Sequence, residues 1–437
     1  MNIAVVGLGK LGLPMAVLYA SRGYEVLGID NNATFVEKLR NGICPIQETG
    51  LSELLATVKD KLSFSTEYEG IDDYDIVFII VPTPSNPDGR FANDYVMSAI
   101  QNIGERIKGM NQPPLLVVTS TVMPGTIDDV VSPELKRITG KDISICYNPE
   151  FIALGSVIKD MENPDVILIG ESEEEAGNLL YEFYCRFHNY SLPSICRMSL
   201  WNAEVAKLML NVFVTTKISL ANTFAQICDN IPFGDIDVVL RFLGLDKRIG
   251  SKYLKGGLGF GGTCFPRDNR AFISMAERLG IECPLETATD KFNHEHDRYV
   301  SRRILTLING GDVKGKVVSI LGVTYKPDTC VVEESSALTI AKCLRNLGVT
   351  VKAYDPMGKD NAELICGEGI VYCETIEECL NQSQLCVIAV PWKEFASITS
   401  QTFKSCMKHP AIYDCWRIMD KNALSDVEYH ALGINDG

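Results

Sequence analysis

The segment LKGGLGFGGTCFPRDNRAF joins a glycine-rich loop to a cysteine and then to a helix. Five glycines between Gly256 and Gly262 let backbone turn sharply or pack against a ligand. Pro266 suits a first helical turn, and the pattern predicts a helix from Asp268 to Leu279 that stops at Gly280. Cys264 then heads a helix, where the dipole favours the nucleophilic thiolate. Asp268 lies four residues on, sharing a face with the thiol if the helix reaches back; otherwise it is a first-turn carboxylate. The chain has 15 cysteines without CxxC pairs or regular spacing, so neither a disulfide framework nor a metal site is expected. The other thiols read as buried packing in a reduced protein.

A second group sits in WNAEVAKLMLNVFVTTKISLANTFAQICD, a stretch without Gly or Pro that predicts one long helix from Trp201 to Asp229. Lys207 and Asn211 are one turn apart and share a face with Glu204. One reading is a solvated Glu204–Lys207 pair. The other aims Lys207 and Asn211 into a cleft, where both stabilise an oxyanion. Two strand ends add candidates: STVMPGT puts Ser120 and Thr121 after LLVVT, and NPEF puts Glu150 after ISICY. Both lie at the edge where open α/β sheets bind ligands. Glu150 there is able to position or deprotonate a water; either residue is equally a turn or cap.

A third group is Gly7, Gly9 and Gly12, a GxGxxG directly after a strand. Its glycines permit the tight turn, the approach of a pyrophosphate and close helix packing. The second strand ends at Asp30, where a carboxylate binds both ribose hydroxyls and repels a 2′-phosphate. No Arg or Lys stands within Asn31–Phe35, so NAD is favoured over NADP. Thr83 in VPTPS is a possible donor to the cofactor, or part of a proline-stiffened loop.

These residues need elements to hold them. Asn2–Val6, Glu25–Ile29, Ile76–Val81, Leu115–Thr119, Ile143–Tyr147 and Val166–Ile169 read as buried strands separated by helices. That alternation predicts an α/β, Rossmann-type, doubly wound parallel sheet over residues 1–198. Residues 199–310 form a central helical connector that carries the cysteine. Strand, helix (Ser336–Leu347), strand and Asp355 then repeat the opening order, with LCVIAV as a further strand. Residues 311–437 therefore form a smaller α/β domain without a glycine fingerprint. A net charge of −15 argues against nucleic acid or an anionic membrane as partner. The apolar start lacks a basic segment before it, and no uninterrupted apolar run reaches membrane-spanning length. A cytoplasmic protein is expected.

The chain resembles the UDP-glucose/GDP-mannose dehydrogenase family almost end to end. GLGKLGLP, VPTPS, STVMPGT, NPEF, AEVAKLMLN, RIGSKYLKGGLGFGGTCFPRD, TYKPDT and YDP occur in the family's order. The resemblance implies an NAD-dependent four-electron oxidation of a nucleotide sugar to a uronic acid through a thioester on Cys264. It implies that Lys207 and Asn211 stabilise the oxyanion. Asp268 and Thr121 hold a water and tune proton transfer, and Glu150 serves hydrolysis. It adds Leu11, Thr121 and Arg267 to the cofactor contacts. For the substrate it adds Phe151, Arg248 from across a dimer interface, Tyr253, Gly261, Phe265, Lys326 and Arg417. A homodimer or higher homo-oligomer built on the central helix is implied.

Three positions depart from the family. NPEFIALG places Leu154 where a second glutamate is usual, TCVVEESS places Glu333 where an arginine is usual, and Phe35 stands near a usual basic position. Losing an acid and a base together costs less than orphaning one charge. UDP-glucose is the leading substrate. GDP-mannose, a UDP-N-acetylhexosamine or another nucleotide sugar is the alternative, and a binding protein without turnover is the third reading.

Overall fold

The computed structural model describes residues 1–308, 313–424 and 426–437. They divide into two compact units, Met1–Met209 and Leu210–Gly437. The expected boundary between 310 and 311 lies outside the described residues.

The first unit is built on eight strands: β1 (Asn2–Val6), β2 (Glu25–Ile29), β3 (Leu62–Ser65), β4 (Ile76–Ile79), β5 (Leu115–Val118), β6 (Ile145–Tyr147), β7 (Val166–Glu171) and β8 (Ser194–Ser199). Their order is β3-β2-β1-β4-β5-β6-β7-β8, so the chain reverses direction of travel between β1 and β4, the switch point where such sheets bind ligands. Alternate strand residues face two separate cores, as a sheet covered on both faces requires. Ile3, Val5, Phe78 and Val117 enter one core; Ala4, Val6, Val77 and Val118 enter the other.

The expected sheet is corrected in one respect. β7 runs antiparallel to β6, and β8 parallel to β7. The link from β6 to β7 carries only the short helix Val157–Glu162. A helix of that length, about 9 Å, does not carry the chain back across a sheet. The chain therefore enters β7 from the edge at which β6 ended. β3 and β8 were not expected, because LSFS and SICRMS are edge strands with polar, part-exposed faces.

The long helix, Leu200–Cys228, begins in the first unit and ends in the second. By length and composition it is the one described helix able to cross a membrane, with 44% of its most apolar window buried in the protein. It places Glu204, Lys207, Asn211, Thr215 and Asn222 in buried positions, as a core helix with hydrogen-bond partners does.

The second unit carries a six-stranded parallel sheet: β9 (Val317–Leu321), β10 (Thr350–Tyr354), β11 (Ile370–Tyr372), β12 (Leu385–Ile388), β13 (Ala411–Asp414) and β14 (Glu428–Ala431). Val318, Ile320 and Val387 pack with Ala221, Ala225, Val300 and Ile304 from the long helix and helix Pro284–Leu307. Leu321, Cys386 and Ile388 face a second core.

Candidate active site

The cofactor corner lies wholly in the first unit. Gly7 has φ +94°, and a Cβ there would meet the Ile80 carbonyl oxygen at 2.3 Å. A Cβ on Gly12 would meet the Gly7 carbonyl oxygen at 1.9 Å, so the helix packs against the turn only because side chains are absent. A Cβ on Gly9 would meet nothing within 4 Å, which leaves that side of the turn beside Leu11 open to a phosphate. Asp30 directly follows β2, with its carboxylate fixed by the backbone N–H groups of Leu8 (2.9 Å) and Asn32 (2.9 Å). An open second glycine, a helix start and a pre-oriented carboxylate at the switch point fit NAD.

Thr83 needs a correction. Its hydroxyl donates to the Thr121 carbonyl at 2.7 Å, so its proton is used within the protein. Ser120 likewise ties strand ends together, donating to the Val81 carbonyl and accepting from the Val81 N–H, each at 2.8 Å. Thr121 itself stays partly exposed beside these ties.

The solvated Glu204–Lys207 pair is not formed. Glu204 is fully buried and accepts the N–H groups of Gly125 (2.6 Å) and Ile127 (3.0 Å). Burial pushes its carboxyl up to about 7 against those two donors. It anchors the loop after Thr121 to the long helix. Lys207 instead donates to the Glu150 carbonyl at 2.6 Å and lies over the Phe151 ring, 4.7 Å from its centroid. Lys207, Glu150 and Phe151 thus form one cluster, in which desolvation pushes the Glu150 carboxyl up to about 7 while Lys207 pulls it down. Leu154 packs against the apolar core where an acid was usual. The next turn is held by Glu48, which accepts from the N–H groups of Gly155 and Val157.

In the second unit, helix Phe265–Arg278 starts with Cys264 as its N-cap and Pro266 in its first turn. Cys196 and Cys264 are the exposed thiols of the fifteen, and of these two Cys264 heads a helix; the part-buried Cys283 caps helix Pro284–Leu307. Asp268 donates its N–H to the Cys264 carbonyl (2.8 Å), and its buried carboxylate accepts from Asn211 at 2.6 Å. Arg267 contacts the same carboxylate at 3.4 Å. Asn211 therefore reaches the first turn of the thiol's helix.

The glycine loop is held by polar side chains that sequence reasoning missed. Asn222 accepts from the Gly257 N–H and donates to the Leu258 carbonyl. Asn293 makes the same paired contact with both backbone groups of Phe260. Burial lowers the His296 imidazole to about 4, so it stays neutral, with Nε2 2.7 Å from the Gly257 carbonyl and Nδ1 2.8 Å from the Gln226 amide. A neutral ring serves both if Nε2 carries the proton. The Glu333 carbonyl accepts from Gly262, so that departure still supports the loop through its backbone. A signal for these straps was present: Asn293, His296 and Asp297 interrupt the buried face of helix Pro284–Leu307.

Among the expected substrate residues, Tyr253 (φ 58°) and Phe265 form an edge-to-face pair at 6.1 Å. Gly261 is buried beside the Glu334 carbonyl, and the Lys326 ammonium lies 6.0 Å from the Tyr325 ring. Arg248 folds onto Asp246 with its side chain 89% exposed. Arg417 is only 6% exposed. Its guanidinium bonds the carbonyls of Gly256 (2.5 Å) and Leu432 (2.8 Å) and the Asp237 carboxylate. It braces the glycine loop. Among the described residues no group of His, Cys, Asp or Glu is arranged to hold a metal ion.

A fingerprint turn at the switch point with a carboxylate set for a ribose makes the first unit that of an NAD-dependent oxidoreductase. The chain belongs to the UDP-glucose/GDP-mannose dehydrogenase family, whose NAD-binding, central and UDP-binding domains match residues 1–188, 201–295 and 319–421. It is 34% identical to the UDP-glucose 6-dehydrogenase YwqF of Bacillus subtilis over 99% of this chain and 98% of that protein. The solved structure of a UDP-glucose dehydrogenase from Pyrobaculum islandicum superposes with a TM-score of 0.89 at 32% identity, covering 99% and 98% of the two chains. The UDP-N-acetyl-mannosamine dehydrogenase Cap5O of Staphylococcus aureus superposes with a TM-score of 0.80 at 27% identity, covering 99% and 98%. The chain is thus a nucleotide-sugar dehydrogenase that uses NAD.

Proposed function

We propose that the protein oxidises the hydroxymethyl group of UDP-glucose to the carboxylate of UDP-glucuronate through a thioester on Cys264. The observation that carries this is the exposed thiol at a helix N-cap, one turn from the buried Asn211–Asp268 pair. Gly7, Gly9, Leu11, Gly12, Asp30, Thr83, Thr121 and Arg267 would hold NAD, which when bound accepts hydride. Lys207 and Asn211 stabilise negative charge on the substrate oxygen. The Cys264 sulfur bonds the aldehyde carbon, and after the second oxidation it remains as the thioester. Water then adds to that carbon, Glu150 takes one of its protons, and the carbon–sulfur bond breaks with its electron pair returning to sulfur. Asp268 and Thr121 hold the water. Phe151, Arg248, Tyr253, Gly261, Phe265, Lys326 and Arg417 form or brace the nucleotide-sugar site.

UDP-glucose is favoured by the relatives' names. A second reading keeps the chemistry and changes the sugar. It is motivated by Leu154 and Glu333 and by the similarity to a UDP-N-acetyl-mannosamine dehydrogenase. NADH yield across UDP-glucose, GDP-mannose and UDP-N-acetylhexosamines decides between them. About two NADH per UDP-glucose are expected, one for each hydride. Two NADH from another sugar, with none from UDP-glucose, would transfer the assignment. Binding without turnover on every sugar would end the enzymatic reading.

We propose further that residues 199–310 build a homodimer. Phe213, Leu220, Ile227, Phe233, Phe242 and Leu245 are exposed in the second unit, an apolar display unusual for a monomer. Sedimentation should give at least twice the 48.2 kDa chain mass at micromolar concentration; a single-chain mass would refute this. Fifteen unpaired thiols suit a reducing compartment, the cytoplasm. A nucleotide uronic acid made there would serve polysaccharide synthesis.

A further inference from the structure

Beside Glu150 the first unit has a partly open cavity of about 20 Å³, room for one water. Asn148, Glu150, Tyr184 and His188 line it among apolar residues that include Met161 and Phe187. Asn148 and Tyr184 are already committed to each other, Tyr184 donating to the Asn148 side-chain oxygen at 2.5 Å, and Asn148 also donates to the Leu168 carbonyl. Lys207 holds the backbone carbonyl of Glu150, not its carboxylate. His188 Nε2 is enclosed and meets no hydrogen-bond partner among the described residues. A buried ring nitrogen without a protein partner among the described residues, lining a mostly apolar cavity wide enough for one water that Glu150 also lines, calls for a water.

We propose that His188 is the proton outlet for the hydrolytic step, a water in this cavity linking the Glu150 carboxylate to Nε2. This rests on the thioester reading above. As the attacking oxygen bonds the thioester carbon, one proton passes from that water to Glu150. It then moves through the cavity water to Nε2, and on to solvent from the half-buried ring. The second proton leaves when the product acid ionises, sulfur keeps the electron pair of the broken bond, and nothing is oxidised or reduced. His188 acts through Glu150 and is a positioning residue.

The surroundings favour passage over retention. Desolvation and the Arg22 guanidinium lower the His188 imidazole below its ordinary range. Arg22 is itself paired with Glu162 at 2.8 Å, and Tyr184 stacks on the His188 ring at 6.2 Å. Facing Glu150 are Lys207 from the long helix, Tyr184 from helix Glu174–Phe187 and Tyr19 from helix Gly12–Ser21. A relay with a low proton affinity empties between turnovers.

The test compares His188→Ala and His188→Gln with the wild-type full chain, using NAD and the sugar selected by the panel. Both variants should keep the first-turnover NADH burst and KM while kcat falls about tenfold or more. Acyl-enzyme on Cys264 should accumulate in quenched samples read by intact mass, and imidazole should restore the Ala variant. Glutamine holds the water but relays nothing, so a folded His188→Gln with wild-type kcat, pH profile and acyl-enzyme level overturns the proposal. So does a fall in kcat without accumulation or imidazole rescue, which marks a merely structural role. If wild type forms no acyl-enzyme, the thioester reading itself falls and takes this proposal with it; that failure shows in the wild type and not in the variants.

Discussion

Replacing Cys264 with alanine lowers net uronate formation by at least about 10⁴-fold, the scale on which removing the nucleophile of a cooperating set acts. The thiol is exposed, and its side-chain contact is a weak one to the Thr263 hydroxyl at 3.7 Å. The fold should therefore stay within about 0.5 kcal/mol of wild type. That separation makes the result readable: activity collapses while the melting temperature holds. Cys264→Ser tests the same point with a hydroxyl, a much weaker nucleophile near neutral pH. The measurement is the product ratio after long incubation, NADH against uronate. A Cys264→Ala protein that still makes uronate at the wild-type rate would remove the covalent mechanism. It would leave the family assignment intact, because that rests on the whole chain.

Lys207→Met has the second-largest expected effect, a fall in kcat of about 10²–10³-fold. Methionine keeps much of the stem's length and apolar volume but removes the ammonium. Two contacts go with it, the bond to the Glu150 carbonyl and the position over the Phe151 ring. The orphaned carbonyl costs about 1–3 kcal/mol of stability if it stays dry, so the melting temperature should drop as well. A pH signature separates electrostatics from mere loosening. Glu150 is pushed up to about 7 by burial while Lys207 pulls it down. A base works when deprotonated, so the hydrolytic rate should rise as pH passes through about 7 in wild type. Without the ammonium, desolvation acts unopposed and the midpoint moves to higher pH. A variant with reduced kcat and an unmoved midpoint would show that Lys207 does not act on Glu150 through its charge.

Lys207 does not pair with Glu204, which is occupied elsewhere, holding the N–H groups of Gly125 and Ile127. The glycine loop before Cys264 is fixed by Asn222, Asn293, His296 and Arg417. Loops rich in glycine lose much backbone entropy on ordering. Buried side-chain hydrogen bonds are what hold this one to a single shape.

By itself the sequence determined the features whose cause is local. The run Asn2–Val6 followed by Gly7, Gly9 and Gly12 specifies strand, turn and helix, because at Gly7 and Gly12 only glycine avoids the backbone clashes found there. Cysteine, then proline, then an amphipathic stretch specifies a thiol at a helix start. Alternating apolar strands and helices specify two α/β layers. The tertiary structure alone decided which partner each polar group takes. Glu204 bonds to backbone 79 residues earlier, and Lys207 reaches a carbonyl 57 residues earlier in preference to the carboxylate one turn away. It alone decided that β7 reverses, and that His188 meets the cavity beside Glu150. Backbone sterics and hydrophobic periodicity are written residue by residue. The choice of a hydrogen-bond partner is a competition among desolvated groups, settled only after distant elements have packed and water has been excluded.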